Sequence, residues 1–288
     1  MASSKNPVRG WSASRLGHWS FLFALLICDG VRGAEPRSVR VERLPQLVFA
    51  ADLRRIETIF RNSSSNPVTL NLVSRLYQAS SSILVPLGES KPSRTLTISP
   101  NQAVVEPMDV LLPPVRSETT FVLQWRDAEE KLGATIIRAF PTNLLEQLPK
   151  LNGGHPVGLF DPGGSVKSTF SSDLVQPLSN VDEMSSYEGT LLICVATGNE
   201  RTPGLSVAVK RKAEKGGAVV WIQEPAVREI EGFPAVRVID AGEGRIVVAR
   251  GTIVSDLANA PAPQLALIHL AELATGARKL ELPKDPDP

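Results

Sequence analysis

From about Arg54 to Phe140 the apolar residues of this chain return at every second position, and no stretch of helical period interrupts them. "RRIETIF" alternates, "NSSSNP" is a turn cluster, and "VTLNLVSRLY" alternates again. "SSILVPL", "RTLTI", "QAVVEPMDVLL", "TTFVLQW" and "ATIIRAF" follow, separated by Pro, Gly, Ser and acidic residues. A period of two turns one face of each strand to a core and the other to water, so such a segment must pair its strands and stack the resulting sheets. The spacing predicts an antiparallel β-sandwich, with Trp125 as a core anchor and a hairpin turn in "DAEEKLG". This half contains no His, no Cys and no acidic cluster on which to build chemistry.

The period changes after "PTNLLEQLPKLNGG". Thr142 or Asn143 is placed to cap a short helix over 144–148, and Pro149 and Gly153-Gly154 to end it. Beyond Pro156 strands alternate with helical patterns: "VGLFD", "TLLICVA", a helix in "GLSVAVKRKAEKGG", the wholly apolar "AVVWI", and a strand in "AGEGRIVVARG". A strand apolar on both faces belongs in a parallel sheet covered on both sides. "APAPQLALIHLAELATGA" is a closing amphipathic helix with Leu267, Leu270 and Leu273-Ala274 on one stripe, begun by Pro261 and Pro263. The expected fold class is α+β in two domains: an N-terminal antiparallel sandwich over 34–142 and a C-terminal α/β open parallel sheet over 155–276. A linker over 143–154 joins them with few constraints crossing it, and a disordered tail covers 277–288.

Lys5, Arg9 and Arg15 precede the apolar run "WSFLFALLIC", followed by the small residues Gly30, Gly33 and Ala34. That run is shorter than the about 20 residues needed to cross a bilayer and has the length of a signal-peptide core. Residues 1–33 are therefore expected to direct export to a bacterial periplasm or cell envelope and to be removed, with membrane attachment only if the leader stays. Removal leaves Cys194 alone, so no internal disulfide can form. The formal net charge of +1 over 288 residues, with acids and bases interspersed, offers no electrostatic footprint for nucleic acid. Asn62-Ser63-Ser64 matches a glycosylation sequon that short Asn/Ser turns produce by chance.

The first half resembles an immunoglobulin-like module. "YEGTLLICVAT", "KRKAEKGGAVVWIQEP", "GEGRIVVARG" and "QLALIHLAEL" in this order resemble the class I glutamine amidotransferase-like superfamily, over about 155–276. The combination is similar to uncharacterised exported bacterial proteins, and it implies an amidotransferase-like or flavodoxin-like sheet. The resemblance also implies a nucleophilic cysteine on a strained turn after "AVVWI" and a His-x-Glu pair. This chain has Gln223, Glu224 and Pro225 at the turn, and His269 is followed by Leu270-Ala271-Glu272. Both signatures of the chemistry are missing, so the resemblance implies a pseudo-enzyme.

Other candidates are weighed residue by residue. Cys194 lies within an apolar strand with no base beside it, as a structural thiol does. "GGSVKST" lacks the glycine before Lys167 that a phosphate loop needs, although its amides retain some capacity for anions. His155 and His269 are too few for a metal centre. "RKAEK" is a solvated charge run. Asp161 ends the first strand of the second half, where open parallel sheets bind ligands, yet Asp-Pro-Gly also favours a plain turn. Asp161, Gln223 and Glu224 are the candidate ligand-binding residues; no catalytic, cofactor or metal residue is assigned. The expected function is binding or scaffolding among cell-envelope proteins. The alternatives are a hydrolase using Asp161 and Glu224, acting for example on carbohydrate, and a small-ligand sensor.

Overall fold

A computed structural model describes residues 38–197, 202–224, 235–251, 253–254 and 256–277. Residues 1–37, which hold the expected leader with His18 and Cys28, lie outside the described residues, as do Pro225 and the residues from 278 onward. The first half forms β1 (Val39–Val41), β2 (Gln46–Phe49), β3 (Leu53–Asn62), β4 (Val68–Ala79), β5 (Leu84–Ile98), β6 (Ala103–Leu111), β7 (Thr119–Asp127) and β8 (Glu130–Phe140). These make a three-stranded sheet, β1-β3-β6, and a five-stranded sheet, β2-β8-β7-β4-β5. The alternation does what its period requires: in β3, Ile56, Thr58 and Phe60 are buried while Glu57 and Arg61 are exposed. Trp125 is fully buried and meets Phe60 edge to face, with ring centroids 5.3 Å apart. Its indole N–H donates to Thr58 Oγ1 at 3.1 Å, and that hydroxyl shares a 2.7 Å hydrogen bond with Thr135. The one polar group of the indole is thereby satisfied inside the core. Arg94 on β5 holds the buried carboxylate of Glu106 on β6 through Nε (2.8 Å) and Nη2 (2.6 Å), clipping the two sheets together.

The second half forms α1 (Gln147–Leu151), β9 (Val157–Phe160), β10 (Val175–Leu178), α2 (Val181–Ser186), β11 (Leu191–Thr197), α3 (Leu205–Glu214), β12 (Ala218–Glu224), β13 (Ala235–Ala241), β14 (Gly244–Arg250) and α4 (Pro261–Thr275). Its sheet has the order β10-β9-β11-β12-β14-β13. Successive residues of its central strands enter different cores. Leu191, Ile193 and Val195 join the cluster containing α4, whereas Leu192 and Cys194 join the one containing α2 and α3. Burial on both faces is why these strands read as unbroken apolar runs. Helix α3 ends at a left-handed Gly216 (φ +86°), with Gly217 N–H donating to Lys212 O at 3.0 Å, so the paired glycines close the helix as expected. In α4, Leu267, Leu270 and Ala274 are buried along the expected stripe, and Pro261 opens the helix.

The expected fold class is overturned. The chain is mostly β, 48% strand and 19% helix, and its larger sheets are mixed, which fits neither an antiparallel immunoglobulin-like sandwich nor an amidotransferase-like parallel domain after it. In the five-stranded sheet β2 runs parallel to β8, because the chain leaves β1 for the other sheet and then follows β8 in the same direction. In the six-stranded sheet β13 runs antiparallel to β14, joined by a turn at Gly242 (φ +60°). "AVRVIDA" carries β13, so the glycines of "AGEGR" join two strands of a hairpin instead of only leading into β14.

Smaller departures have local causes. "SSILVPL" and "RTLTI" belong to one long strand, β5, whose pairing with β4 is interrupted by two register shifts. The β7–β8 turn is tighter than expected, at Ala128-Glu129 with Ala128 at φ +49°. The short helix predicted over 144–148 is a 3-10 turn, Leu144–Glu146, running into α1, and Pro149 sits inside α1 rather than ending it. Proline is tolerated in a first helical turn, whose N–H groups have no intrahelical acceptor. Phe49 and Phe140 from the five-stranded sheet share a buried cluster with Leu144, Leu145, Leu148 and α4, so apolar packing is continuous across the joint.

Candidate functional site

In the six-stranded sheet the chain places β10 on one side of β9 and β11 on the other, so the strand order reverses between β9 and β11. Open sheets bind ligands beyond the carboxyl ends of strands at such a reversal. Asp161 follows β9 there, Thr197 ends β11, Gln223 and Glu224 end β12, and Arg250 ends β14.

The Asp161 carboxylate is fully engaged in its own loop. Oδ1 accepts from Ser165 Oγ at 3.0 Å, and Oδ2 accepts from the backbone N–H of Val166 (2.8 Å) and Lys167 (3.2 Å). Gly164 N–H closes the Asp-Pro-Gly turn on Asp161 O at 3.1 Å. The amides of "GGSVKST" that were candidates for a bound anion thus hold an internal one. Gln223 Oε1 accepts from Arg250 Nε at 2.9 Å. Glu224 lies opposite Thr197 in the β11–β12 register. Strand β11 separates β9 from β12, and Asp161, one residue past Phe160, is level with Ile222. Glu224 therefore stands two inter-strand spacings across and two residues further along, about 12 Å away along the backbone frame.

Cys194 sits in the middle of β11, opposite Phe160 and Trp221, with no exposed surface. Burial pushes its thiol well above the usual range, so no thiolate forms at neutral pH. His155 precedes β9, at the opposite end of that strand from Asp161, and His269 lies in α4. Among the described residues no three His, Cys, Asp or Glu side chains gather where a metal ion could be held. Asn62 is buried, its amide donating to Asn66 O at 2.8 Å and its carbonyl accepting from Ser64 Oγ at 2.8 Å, which bars glycosylation of the folded sequon.

Among the described residues, a dense polar constellation lies where no sequence motif points. Asn152, buried in α1's C-terminal turn, donates from Nδ2 to Pro156 O (2.7 Å) and Tyr187 Oη (2.8 Å). Its Oδ1 accepts from Leu191 N (2.7 Å) and Thr190 Oγ1 (3.0 Å). Tyr187 in turn donates to Pro156 O at 2.7 Å, and burial raises the pKa of its phenol. Lys212, from the run expected to be solvated, is half-buried and donates to Tyr187 O at 2.5 Å, with its ammonium 4.9 Å from the ring centroid. Burial, then the charge of Lys215, lowers its pKa. Gly189 has to be glycine here, since a Cβ would stand 2.0 Å from Tyr187 Oη. The Asn152 amide and the Tyr187 hydroxyl are spent on the protein itself, so the knot anchors the joint to the sheet. No local motif announces it, because its members are scattered from 152 to 212.

No family model matches the chain, and no curated protein matches it. Similarity to solved structures is slight. An alkylpurine DNA glycosylase of Pseudomonas fluorescens has 9% identity over 36% of this chain, at a TM-score of 0.28; this chain spans 30% of the glycosylase. The sporulation control protein Spo0M of Bacillus subtilis has 12% identity over 41% of this chain and 57% of its own, at 0.26. A Paenibacillus cycloisomaltooligosaccharide glucanotransferase has 12% identity over 65% of this chain and 27% of its own, at 0.28. None of these is close enough to carry a fold or an activity to this chain.

Proposed function

We propose that this chain is a non-catalytic binding or scaffolding protein of a bacterial cell envelope that acts through protein partners. The observation that supports this reading is the engagement of Asp161: at the strand-order reversal, its carboxylate accepts two backbone N–H groups and a hydroxyl instead of facing a substrate. Gln223 is likewise held by Arg250, and Cys194 is sealed inside a strand. A general base needs a free lone pair within reach of its substrate, and a nucleophile needs a base beside it.

The test is a turnover screen of the purified full-length protein against glutamine, peptide, ester and glycoside substrates, run beside Asp161→Asn. No turnover is expected in either protein. Turnover that disappears in Asp161→Asn while the circular dichroism spectrum is retained would overturn the non-catalytic reading. In parallel, the tagged protein cross-linked in its own cell envelope is expected to carry a reproducible protein partner. Recovery of the protein alone from repeated experiments would count against scaffolding.

A further inference from the structure

The five-stranded sheet has one face in the sandwich core, and the other carries a registered apolar row. Ile136 on β8 stands opposite Val122 on β7, Val122 opposite Tyr77 on β4, and Tyr77 opposite Pro86 on β5. Ile136, Val122 and Tyr77 belong to none of the three buried clusters and are half-buried, while Pro86 is exposed. An apolar row across four strands is more than scattered surface hydrophobicity, and such rows mark contact surfaces.

The charge beside the row says what kind of partner fits. Arg126 and Arg138, on the same face, have carboxylates of their own, Glu129 at 3.9 Å and Glu118 at 2.6 Å. Arg75 has no ion pair among the described residues. It stands opposite Gln124, its guanidinium carbon lies 5.6 Å from the Tyr77 ring centroid, and its Nε is buried without an acceptor. Tyr77 Oη donates to Gln124 Oε1 at 3.4 Å, leaving the Gln124 amide as a further donor beside the guanidinium. The unpaired guanidinium, bordered by an amide donor and an apolar row, is complementary to a carboxylate flanked by apolar side chains.

Resting on the binding-protein reading above, we propose that this face docks an extended acidic peptide segment of a protein partner, apolar residues lying along Ile136–Val122–Tyr77–Pro86 and an Asp or Glu carboxylate on Arg75. In an extended segment alternate side chains point to the same side, which lets one stretch of chain present both groups to the sheet.

The probes are synthetic nonapeptides whose odd positions carry leucine and valine plus one aspartate, glutamine or lysine, with serine at the even positions. The apolar and the variable side chains then share one side of the extended chain, and the peptides are titrated with the full-length protein by fluorescence anisotropy. An oligogalacturonate serves as a non-peptide source of carboxylates. The aspartate peptide is expected to bind at least about tenfold more tightly than the glutamine and lysine peptides. Arg75→Gln is expected to abolish that preference, and Arg75→Glu to transfer it to the lysine peptide, a reversal that mere misfolding cannot produce. Equal binding of all three peptides, binding of the aspartate peptide unaffected by Arg75→Gln, or binding of the oligogalacturonate in preference to every peptide would overturn the proposal. These outcomes are separable from failure of the binding-protein reading, which is judged by envelope cross-linking and by the turnover screen.

Discussion

The carboxamide oxygen of Asn152 accepts the backbone N–H of Leu191 at 2.7 Å, fastening the turn after α1 to the first residue of β11. That single bond joins the segment read from sequence as a linker to the centre of the six-stranded sheet. The side chain is buried and its other bonds go to Tyr187, Thr190 and the carbonyls of His155 and Pro156. Asn152→Ala leaves a buried N–H and a buried carbonyl without partners, which is expected to cost about 2–4 kcal/mol in urea denaturation at neutral pH. Asn152→Asp is expected to be no milder, since it removes the donors that Pro156 O and Tyr187 Oη use.

The phenol of Tyr187 makes stability depend on alkaline pH. Burial raises its pKa in the folded chain above the unfolded value of about 10. A raised folded pKa contributes stability that is complete below the unfolded value and is lost as pH rises through the folded one. The stability difference between wild type and Tyr187→Phe should therefore be level through neutral pH and shrink above about pH 10. Lys212, with its lowered pKa, acts in the opposite sense but is present in both proteins, so it largely cancels in the difference. Urea titrations of both proteins from pH 7 to about 11 measure this, and a growing difference would contradict the burial of the phenol.

Asp161→Ala is expected to act locally. It removes the acceptor of Val166 N, Lys167 N and Ser165 Oγ, which hold the loop between β9 and β10. Lys167 N is exposed and can turn to water, whereas Val166 N is part-buried and loses its acceptor. The loss in global stability should therefore be about 1–2 kcal/mol, while hydrogen exchange at Val166 and Lys167 accelerates. Amide exchange by mass spectrometry, with the β11 and β12 amides as internal controls, reads this directly.

Cys194 has a structural role to test. It should resist a thiol-specific chromogenic reagent in the folded protein and react at once in denaturant, since burial excludes the reagent and suppresses the thiolate. Cys194→Ala leaves a small cavity between Phe160 and Trp221 and should cost about 1 kcal/mol with no change in partner binding.

The two halves are expected to unfold together. Phe49 and Phe140 share a buried cluster with Leu148, Val157 and α4, so separating the halves would expose one continuous apolar core. Trp125 lies in one half and Trp221 in the other, which makes Trp125→Phe and Trp221→Phe single-tryptophan reporters within the described residues. Coincident fluorescence transitions in urea are expected from the two variants once their stabilities are matched. Separate midpoints, or two folded fragments after cleavage between 148 and 155, would mean that the joint is a true linker.

What the sequence determined by itself are the features that depend on local periodicity and backbone chemistry. The alternation in "RRIETIF" required a half-buried strand, and the unbroken "AVVWI" required a strand covered on both faces. Gly216-Gly217 and Pro261 set helix ends because φ freedom and a missing N–H act within one turn of chain. Asp161 was legible as a turn residue from Asp-Pro-Gly alone, and Cys194 as a structural thiol from its apolar neighbours. Only the tertiary structure decided which strands pair and in which direction. The parallel β2–β8 pair and the antiparallel β13 were invisible because strand direction is set by where the connections run, not by the pattern of side chains. The Asn152–Tyr187–Lys212 knot and the unpaired Arg75 on its apolar row were hidden for the same reason. Each side chain is ordinary on its own strand or turn, and its role comes from partners dozens of residues away that only folding brings within hydrogen-bonding distance or into register.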